Sequence, residues 1–210
     1  MRRIGLFSGT FNPIHNGHLL IAEAARESHQ LEKVLFVTSP VPPHRKDEAL
    51  LNGKARHAMV LAAVSSNPFF EASDLELKRL GPSYTIDTLN ELEQTFGAKT
   101  SIHLIIGGDN LNQIAHWKEG AHILAKCTLL VAPRLAEHCL RASPTAVPEL
   151  TVPEALKNAQ VHILDFPGVG FSSSLIRRYI QEGRSVRYMV PDAVYEMLIA
   201  ENFYKSCHSM

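Results

Sequence analysis

Two histidines and two glycines follow the first apolar run of the chain, in the segment Gly9-Thr10-Phe11-Asn12-Pro13-Ile14-His15-Asn16-Gly17-His18. Glycine lets a backbone approach a ligand closely, and the amino end of a helix offers unpaired N–H groups to an anion. The imidazole N–H groups of His15 and His18 are further donors for phosphate oxygens. The segment therefore predicts a phosphate-binding turn that ends in a helix.

Other interpretations of this segment fit its residues less well. It lacks the Gly-Lys-Ser/Thr of a Walker loop and the G-x-G-x-x-G pattern of dinucleotide-binding proteins. A zinc site at His15 and His18 would need a third ligand, and none of fitting type stands nearby. A capped turn with two surface histidines is the remaining alternative, and it gives no reason for Thr10, Pro13 and Gly17.

A second anion-binding segment is predicted at residues 171–177, which read Phe-Ser-Ser-Ser-Leu-Ile-Arg. The serines Ser172, Ser173 and Ser174 can cap the amino end of a helix and donate hydrogen bonds to phosphate. Arg177 lies one turn further on and can form a fork of hydrogen bonds to phosphate oxygens. Serine caps are common, so this segment gains its weight from lying at the same sheet edge as the histidine segment.

Apolar runs of strand length alternate with helical segments, which predicts an α/β protein with one Rossmann-like domain and a mostly parallel sheet covered by helices on both faces. The predicted strands are Arg3–Ser8, Val34–Ser39, Ile102–Ile106, Thr128–Ala132 and Val161–Asp165, with a weaker one near Phe69–Ala72. The predicted helices are His18–Glu27, Tyr84–Phe96, a segment around Leu175–Ile180, and Asp192–Glu201 with Asp192 as its cap. In such a sheet, ligands bind at the carboxyl ends of the strands, where both anion-binding segments lie.

The composition fits a single soluble domain spanning residues 1–210. Lysine plus arginine equals aspartate plus glutamate at 21 each, so neither nucleic acid nor an anionic membrane would attract the chain from a distance. No apolar run is long enough to span a bilayer, and the three widely spaced cysteines favour a cytoplasmic location with inert thiols. Two long loops are expected, Pro40–Leu51 and Leu135–Lys157, the second with room for a short helix.

Further segments narrow the function through a resemblance. The His15–His18 segment resembles the signature of the HxGH nucleotidyltransferases, and residues 172–177 resemble the second motif of that superfamily. The sequences Pro-Pro-His-Arg-Lys at 42–46, Pro-Ser-Tyr-Thr-Ile-Asp-Thr-Leu at 82–89 and Ile-Ile-Gly-Gly-Asp at 105–109, with Trp117 eight residues on, are together typical of the bacterial nicotinate-mononucleotide adenylyltransferases. Asn12, Ser39, Ser174 and Lys118 depart from that pattern, which more often has Asp, Asn, Thr and Tyr there.

The resemblance implies that ATP and nicotinate mononucleotide react to give deamido-NAD and pyrophosphate. It implies Mg²⁺ as the cofactor that accompanies ATP, and no metal site built from protein ligands. The implied catalytic residues are His15, His18 and Arg177. Implied ATP-binding residues are Gly9, Thr10, Phe11, Gly17, Gly107, Asp109, Arg134, Ser172, Ser173 and Ser174, and implied acceptor-binding residues are His44, Lys46, Thr85 and Trp117.

Several of these roles have plain alternatives. Asp109 could cap a helix over Asn110–Ala115, and Arg134 could be a solvated arginine. Trp117 could belong to the core rather than stack on a pyridine ring, and the basic cluster at 44–46 could be a solvated face. For the whole protein, the acceptor could instead be nicotinamide mononucleotide, or the chain could be a regulator that binds nucleotide without turnover. Pantetheine phosphate or cytidylyl chemistry fits less well.

Overall fold

Six parallel strands form the central sheet of the structure, a computed structural model that describes residues 2–40, 50–97, 99–133, 150–166 and 168–205. Their order across the sheet is β3-β2-β1-β4-β5-β6. β1 lies in the middle and pairs with both β2 and β4. The strands are β1 Arg2–Gly9, β2 Lys33–Thr38, β3 Phe70–Ser73, β4 Thr100–Gly107, β5 Cys127–Ala132 and β6 Val161–Ile163.

The strands form where the sequence has short apolar runs, because β1, β2, β4 and β5 are covered on both faces. All the predicted strands are present, including the weak one, which is β3. The last strand is shorter than predicted and ends at Ile163, although the N–H of Leu164 still donates to the carbonyl of Val131 at 2.9 Å. The predicted parallel α/β fold is confirmed, and every pairing between described strands is parallel.

Helices cover both faces of this sheet and enclose two apolar cores. One core contains buried side chains of the first, second and last helices, and the other contains those of the helix after Tyr84. The helices are α1 Asn16–His29, α2 Gly53–Val64, α3 Leu75–Lys78, α4 Thr85–Phe96, α5 Gly108–Leu111, α6 Gly120–Lys126, α7 Ser173–Gln181 and α8 Asp192–Ala200, with 3₁₀ turns at Ile114–His116 and Glu154–Leu156.

The helices differ from the sequence prediction in several details, among them α3 and α6, which were not predicted. α2 was not predicted, although Asn52 caps it by accepting a hydrogen bond from the N–H of Ala55 at 2.9 Å. Its sequence is apolar over much of its circumference, so it lacks the clear stripe by which an amphipathic helix is recognised. The cap of α8 is Pro191, and Asp192 lies in the first turn of the helix rather than at the cap.

The two predicted loops fall largely outside the described residues, which omit 41–49 and 134–149. In the described part of the second loop, the 3₁₀ turn at Glu154–Leu156 is the short helix that the sequence allowed. Among the described residues, no helix is long and apolar enough to cross a membrane.

Candidate active site

A cleft of about 590 Å³ opens at the carboxyl ends of the strands, between β1 and β4. The chain turns to opposite sides of the sheet at this point, because β2 lies on one side of β1 and β4 on the other. Open parallel sheets bind their ligands at such switch points. The predicted site residues that line the cleft are Gly9, Thr10, Phe11, His15, His18, Gly107, Asp109, Trp117, Ser172, Ser173, Ser174 and Arg177.

The two histidines are held against each other at the start of α1. His15 is the residue before the helix, and its backbone N–H donates to Nδ1 of His18 at 3.2 Å. Their rings stack with centroids 3.7 Å apart. Because Nδ1 of His18 accepts this hydrogen bond, the proton of the neutral ring lies on Nε2, which makes Nε2 the donor. His15 is 6% exposed, so the alternative of two surface histidines is wrong for His15.

Packing requires a glycine at position 17. A Cβ atom at this position would lie 2.6 Å from Cγ2 of Val169 and 3.0 Å from Nδ1 of His15. Gly17 is buried and does not line the cleft. Its lack of a side chain lets the segment before α7 pack directly on the start of α1. The expected contact of Gly17 with ATP stays a prediction.

The serine segment forms the opposite wall of the cleft. Ser172 caps α7 by accepting a hydrogen bond from the N–H of Leu175 at 3.3 Å. The hydroxyl of Ser173 donates to the carbonyl of Pro13 at 2.8 Å. Arg177 donates from Nη1 to the carbonyl of Asn12 at 2.9 Å. The two predicted anion-binding segments are therefore joined by hydrogen bonds into one unit.

The carboxyl end of β4 supplies a third wall. Gly107 ends the strand and precedes the short helix α5, in which Asp109 lies in the first turn. Asp109 is exposed and lines the cleft, and the cap of α5 is Gly107, so the interpretation of Asp109 as a cap is wrong. Trp117 is half-buried, packs on the core beneath α4 and also lines the cleft. Core packing and exposure to a ligand are thus compatible at Trp117.

Some predicted site residues are not placed in the cleft. Thr85 is the first residue of α4 and does not line it. His44, Lys46 and Arg134 lie outside the described residues. A second cavity of about 600 Å³ lies between α2 and α3 and includes neither anion-binding segment. Its lining combines apolar side chains such as Leu61 and Leu77 with polar and charged ones, which are Asn52, Lys54, Arg56, His57, Asp74 and Lys78.

Comparisons with known proteins agree with this geometry. The Cytidylyltransferase-like family matches residues 6–179, a span that contains both anion-binding segments. A Moorella thermoacetica protein named "Probable nicotinate-nucleotide adenylyltransferase" is 36% identical over 203 residues, covering 97% of this chain and 92% of its own. A Thermus thermophilus protein of the same name is 42% identical, covering 97% of this chain and all of its own. The chain belongs to the nicotinate-nucleotide adenylyltransferases of the cytidylyltransferase-like family.

Solved structures of adenylyltransferases share the fold. A Plasmodium falciparum nicotinic acid mononucleotide adenylyltransferase complexed with NaAD superposes with a TM-score of 0.75 at 17% identity, covering 97% of this chain and 98% of the other. The same enzyme complexed with APC gives a TM-score of 0.74 at 16% identity. At such low identity the likeness establishes the common architecture and nothing about individual side chains.

One part of this adenylyltransferase site was missed by sequence reasoning. The hydroxyl of Tyr204 donates to Oδ1 of Asn12 at 2.6 Å, and the N–H of Leu51 donates to the same oxygen at 3.3 Å. Burial raises the pKa of the Tyr204 hydroxyl, which keeps it protonated as a donor. Asn12 is therefore hydrogen-bonded to three distant parts of the chain. Its side chain bonds to Tyr204 and Leu51, and its carbonyl bonds to Arg177. The amide accepts both bonds with one neutral oxygen, and no local pattern predicts partners so far apart.

Proposed function

We propose that this protein transfers the AMP moiety of ATP to nicotinate mononucleotide, releasing pyrophosphate and forming deamido-NAD. The observation that carries the proposal is the pairing of the His15–His18 helix start with the Ser172–Arg177 helix start across one cleft at the switch point of the sheet. The names of the relatives supply the reaction class.

The chemistry requires alignment more than activation. The acceptor phosphate has a second pKa of about 6, so at neutral pH it is already a dianion and a nucleophile. One of its oxygens forms the new bond to the α-phosphorus of ATP, while the bond from that phosphorus to the bridging oxygen of pyrophosphate breaks. Neither a general base nor a covalent enzyme intermediate is needed. The protein must hold two anions in line and stabilise the charge that develops as pyrophosphate leaves.

The residues of the cleft fit these tasks. Nε2 is the donor atom of the His18 ring, because Nδ1 accepts a hydrogen bond, and we assign Nε2 to the α-phosphate, where charge grows in the transition state. His15 helps to hold the phosphates. Arg177 and the serines at the start of α7 bind the β- and γ-phosphates, which become the leaving group. Gly9 and Thr10 bind ATP and, by the resemblance, also position the acceptor beside it, and Asp109 contacts a ribose hydroxyl.

The magnesium ion of this proposal arrives with ATP. Asp109 is the carboxylate among the cleft-lining residues, and the described part of the chain contains no group of three or more His, Cys, Asp or Glu side chains able to hold a metal. Mg²⁺ commonly keeps several waters and binds through substrate phosphates with one or two carboxylates. When bound, it would neutralise charge on the departing pyrophosphate.

The acceptor's ring belongs, in this proposal, at the end of the cleft that contains Trp117. An indole face stacks well on a cationic pyridinium. The neighbouring Lys118 lies 4.4 Å above the ring of Tyr84 and 3.5 Å from a carboxylate oxygen of Asp87. These contacts bring the amino end of α4, where Thr85 lies, beside the Trp117 segment. Roles for His44, Lys46 and Arg134 remain expectations from the resemblance.

The test is pyrophosphate release from ATP with each acceptor in turn. Nicotinate mononucleotide should be used far better than its amide, since donors aimed at a carboxylate are left unpaired by an amide. Comparable kcat/KM values for the two would contradict the acceptor assignment. If the protein binds ATP but releases no pyrophosphate with any mononucleotide or with pantetheine phosphate, the alternative of a regulator that binds nucleotide without turnover is favoured. Cell fractionation tests the cytoplasmic location, which remains part of this proposal.

A further inference from the structure

Arg56 is a buried cation that lies beneath the cleft and has no part in the mechanism described above. It belongs to α2 and is 0% exposed. Its guanidinium donates from Nε to the carbonyl of Leu51 at 2.9 Å, and from Nη1 to the carbonyl of Ser39 at 2.8 Å and to that of Thr10. All three acceptors are neutral main-chain groups, and among the described residues Arg56 forms no ion pair.

A side chain of this kind is an unusual choice for packing alone. Removing a guanidinium from water is unfavourable, and burial lowers the pKa of Arg56 for this reason. An uncharged side chain of similar length would fill the same space without that cost. The hydrogen bonds that Arg56 makes are therefore the property that an apolar residue could not supply.

The three carbonyls lie where the cleft needs a fixed shape. Thr10 lines the cleft, Ser39 follows the end of β2, and Leu51 follows Leu50, another lining residue. Thr10 lies in the turn that connects β1 to α1. Phe11 within it has a φ of 46°, a left-handed conformation that non-glycine residues rarely adopt. Such a turn keeps its shape only if the surrounding structure holds it.

We infer that Arg56 is a positioning residue for adenylyl transfer, which rests on the proposed function. Its planar fork fixes the carbonyls of Thr10, Ser39 and Leu51 relative to one another, and so holds the turn from which the acceptor and the histidines are aligned. A lysine would keep the charge but not the fork, because an ammonium on a flexible stem cannot reproduce two fixed donor directions.

The inference is tested with Arg56→Lys and Arg56→Met, measured beside the wild type and a control, Lys54→Met. Lys54 is exposed on the same helix, so the control alters charge nearby without touching the turn. We expect kcat to fall at least tenfold in both Arg56 variants, because a misplacement of about 1 Å can cost roughly a hundredfold in rate. The KM for ATP should change less than about threefold, since the start of α7 still binds the leaving phosphates.

Thermal melts and chemical rescue separate positioning from mere stability. Assays are run well below the melting temperature of each variant, so that a loss of stability alone leaves kcat unchanged. In Arg56→Ala, millimolar guanidinium should occupy the vacated space and raise kcat severalfold, whereas it should not raise that of Lys54→Ala. If Arg56→Met does not fold, Arg56→Lys, which retains the charge and most of the stem, carries the test.

The outcomes distinguish this inference from the proposed function. Wild-type turnover combined with unchanged kcat in the folded Arg56 variants would overturn the inference and leave the function standing. Rescue of stability by guanidinium with no gain in kcat would also overturn it. Absence of pyrophosphate release by the wild type would overturn both.

Discussion

Substitutions of His18 can separate its structural role at the start of α1 from its proposed role in turnover. Nδ1 accepts the backbone N–H of His15 at 3.2 Å and so stabilises the start of α1, while Nε2 is the donor assigned to the α-phosphate. His18→Ala removes both. His18→Asn keeps an acceptor at the position of Nδ1, and His18→Gln keeps a donor near the position of Nε2. Comparison of the three variants therefore separates the effect on Tm from the effect on kcat.

The magnitudes follow from these contacts. Loss of a helix-start acceptor costs about 1 kcal/mol, which for a domain of this size lowers Tm by roughly 2–4 °C. Loss of a donor to developing charge costs about 10²–10³ in kcat. We expect His18→Ala to lose both stability and rate, His18→Asn to recover Tm but not kcat, and His18→Gln to recover part of kcat.

The assay is pyrophosphate release under saturating substrates, with ATP Kd and thermal melts measured on the same samples. The exposed His122, which pairs with Glu119, supplies the control His122→Ala and should leave kcat unchanged. ATP affinity should fall much less than kcat, because the start of α7 is proposed to hold the other phosphates. Near-wild-type kcat in His18→Asn would refute the assignment of Nε2 and reduce His18 to a helix-start residue.

Three further predictions follow from the contacts of Gly17, from the leaving group and from two histidines whose pKa values are lowered. Gly17→Ala should lower Tm and kcat together, because the new Cβ would lie 2.6 Å from a methyl of Val169 and 3.0 Å from His15. Unchanged thermal melts and rates would show that Val169 and His15 can shift to accommodate the new Cβ at little cost. Excess chelator should abolish turnover and added Mg²⁺ restore it, whereas full activity in chelator would contradict metal dependence. Burial first, and neighbouring histidines after it, lower the pKa of His29 and of His103, so the folded state binds fewer protons and stability should fall as pH drops below about 6.5. Urea melts between pH 7.5 and 5.5 should show a shallower fall for His103→Gln, and a fall equal to that of the wild type would exclude His103 as a cause.

The fold and the position of the site could be predicted because their signals are local. A strand buried on both faces is a continuous apolar run, as in residues 34–37, and such runs alternating with helices specify a parallel sheet. Ligand-binding turns must then follow the strands, which is where the glycines, histidines and serines stand. These arguments need only residue types and their spacing.

What could not be predicted depends on contacts between distant parts of the chain. Nothing in the sequence around Arg56 distinguishes a buried arginine from a solvated one on a helix. The group that approaches Gly17 is Val169, more than 150 positions later. The hydroxyl of Tyr204 finds Asn12 across 192 positions. Such pairs are decided by how the elements pack, and only the packed structure reveals them.

The hydrogen bond from Ser173 to Pro13 spans 160 positions, and this spacing has a consequence for the newly made protein. At synthesis rates of about 5–20 residues per second, roughly ten to thirty seconds pass between the emergence of the histidine turn and that of its serine counterpart. During that time a growing chain carries one wall of a nucleotide site and lacks the other. A complete nucleotide site is therefore absent while the chain before residue 171 is being made. Until the serine segment is made, the strands and helices already formed depend on their own apolar contacts for stability.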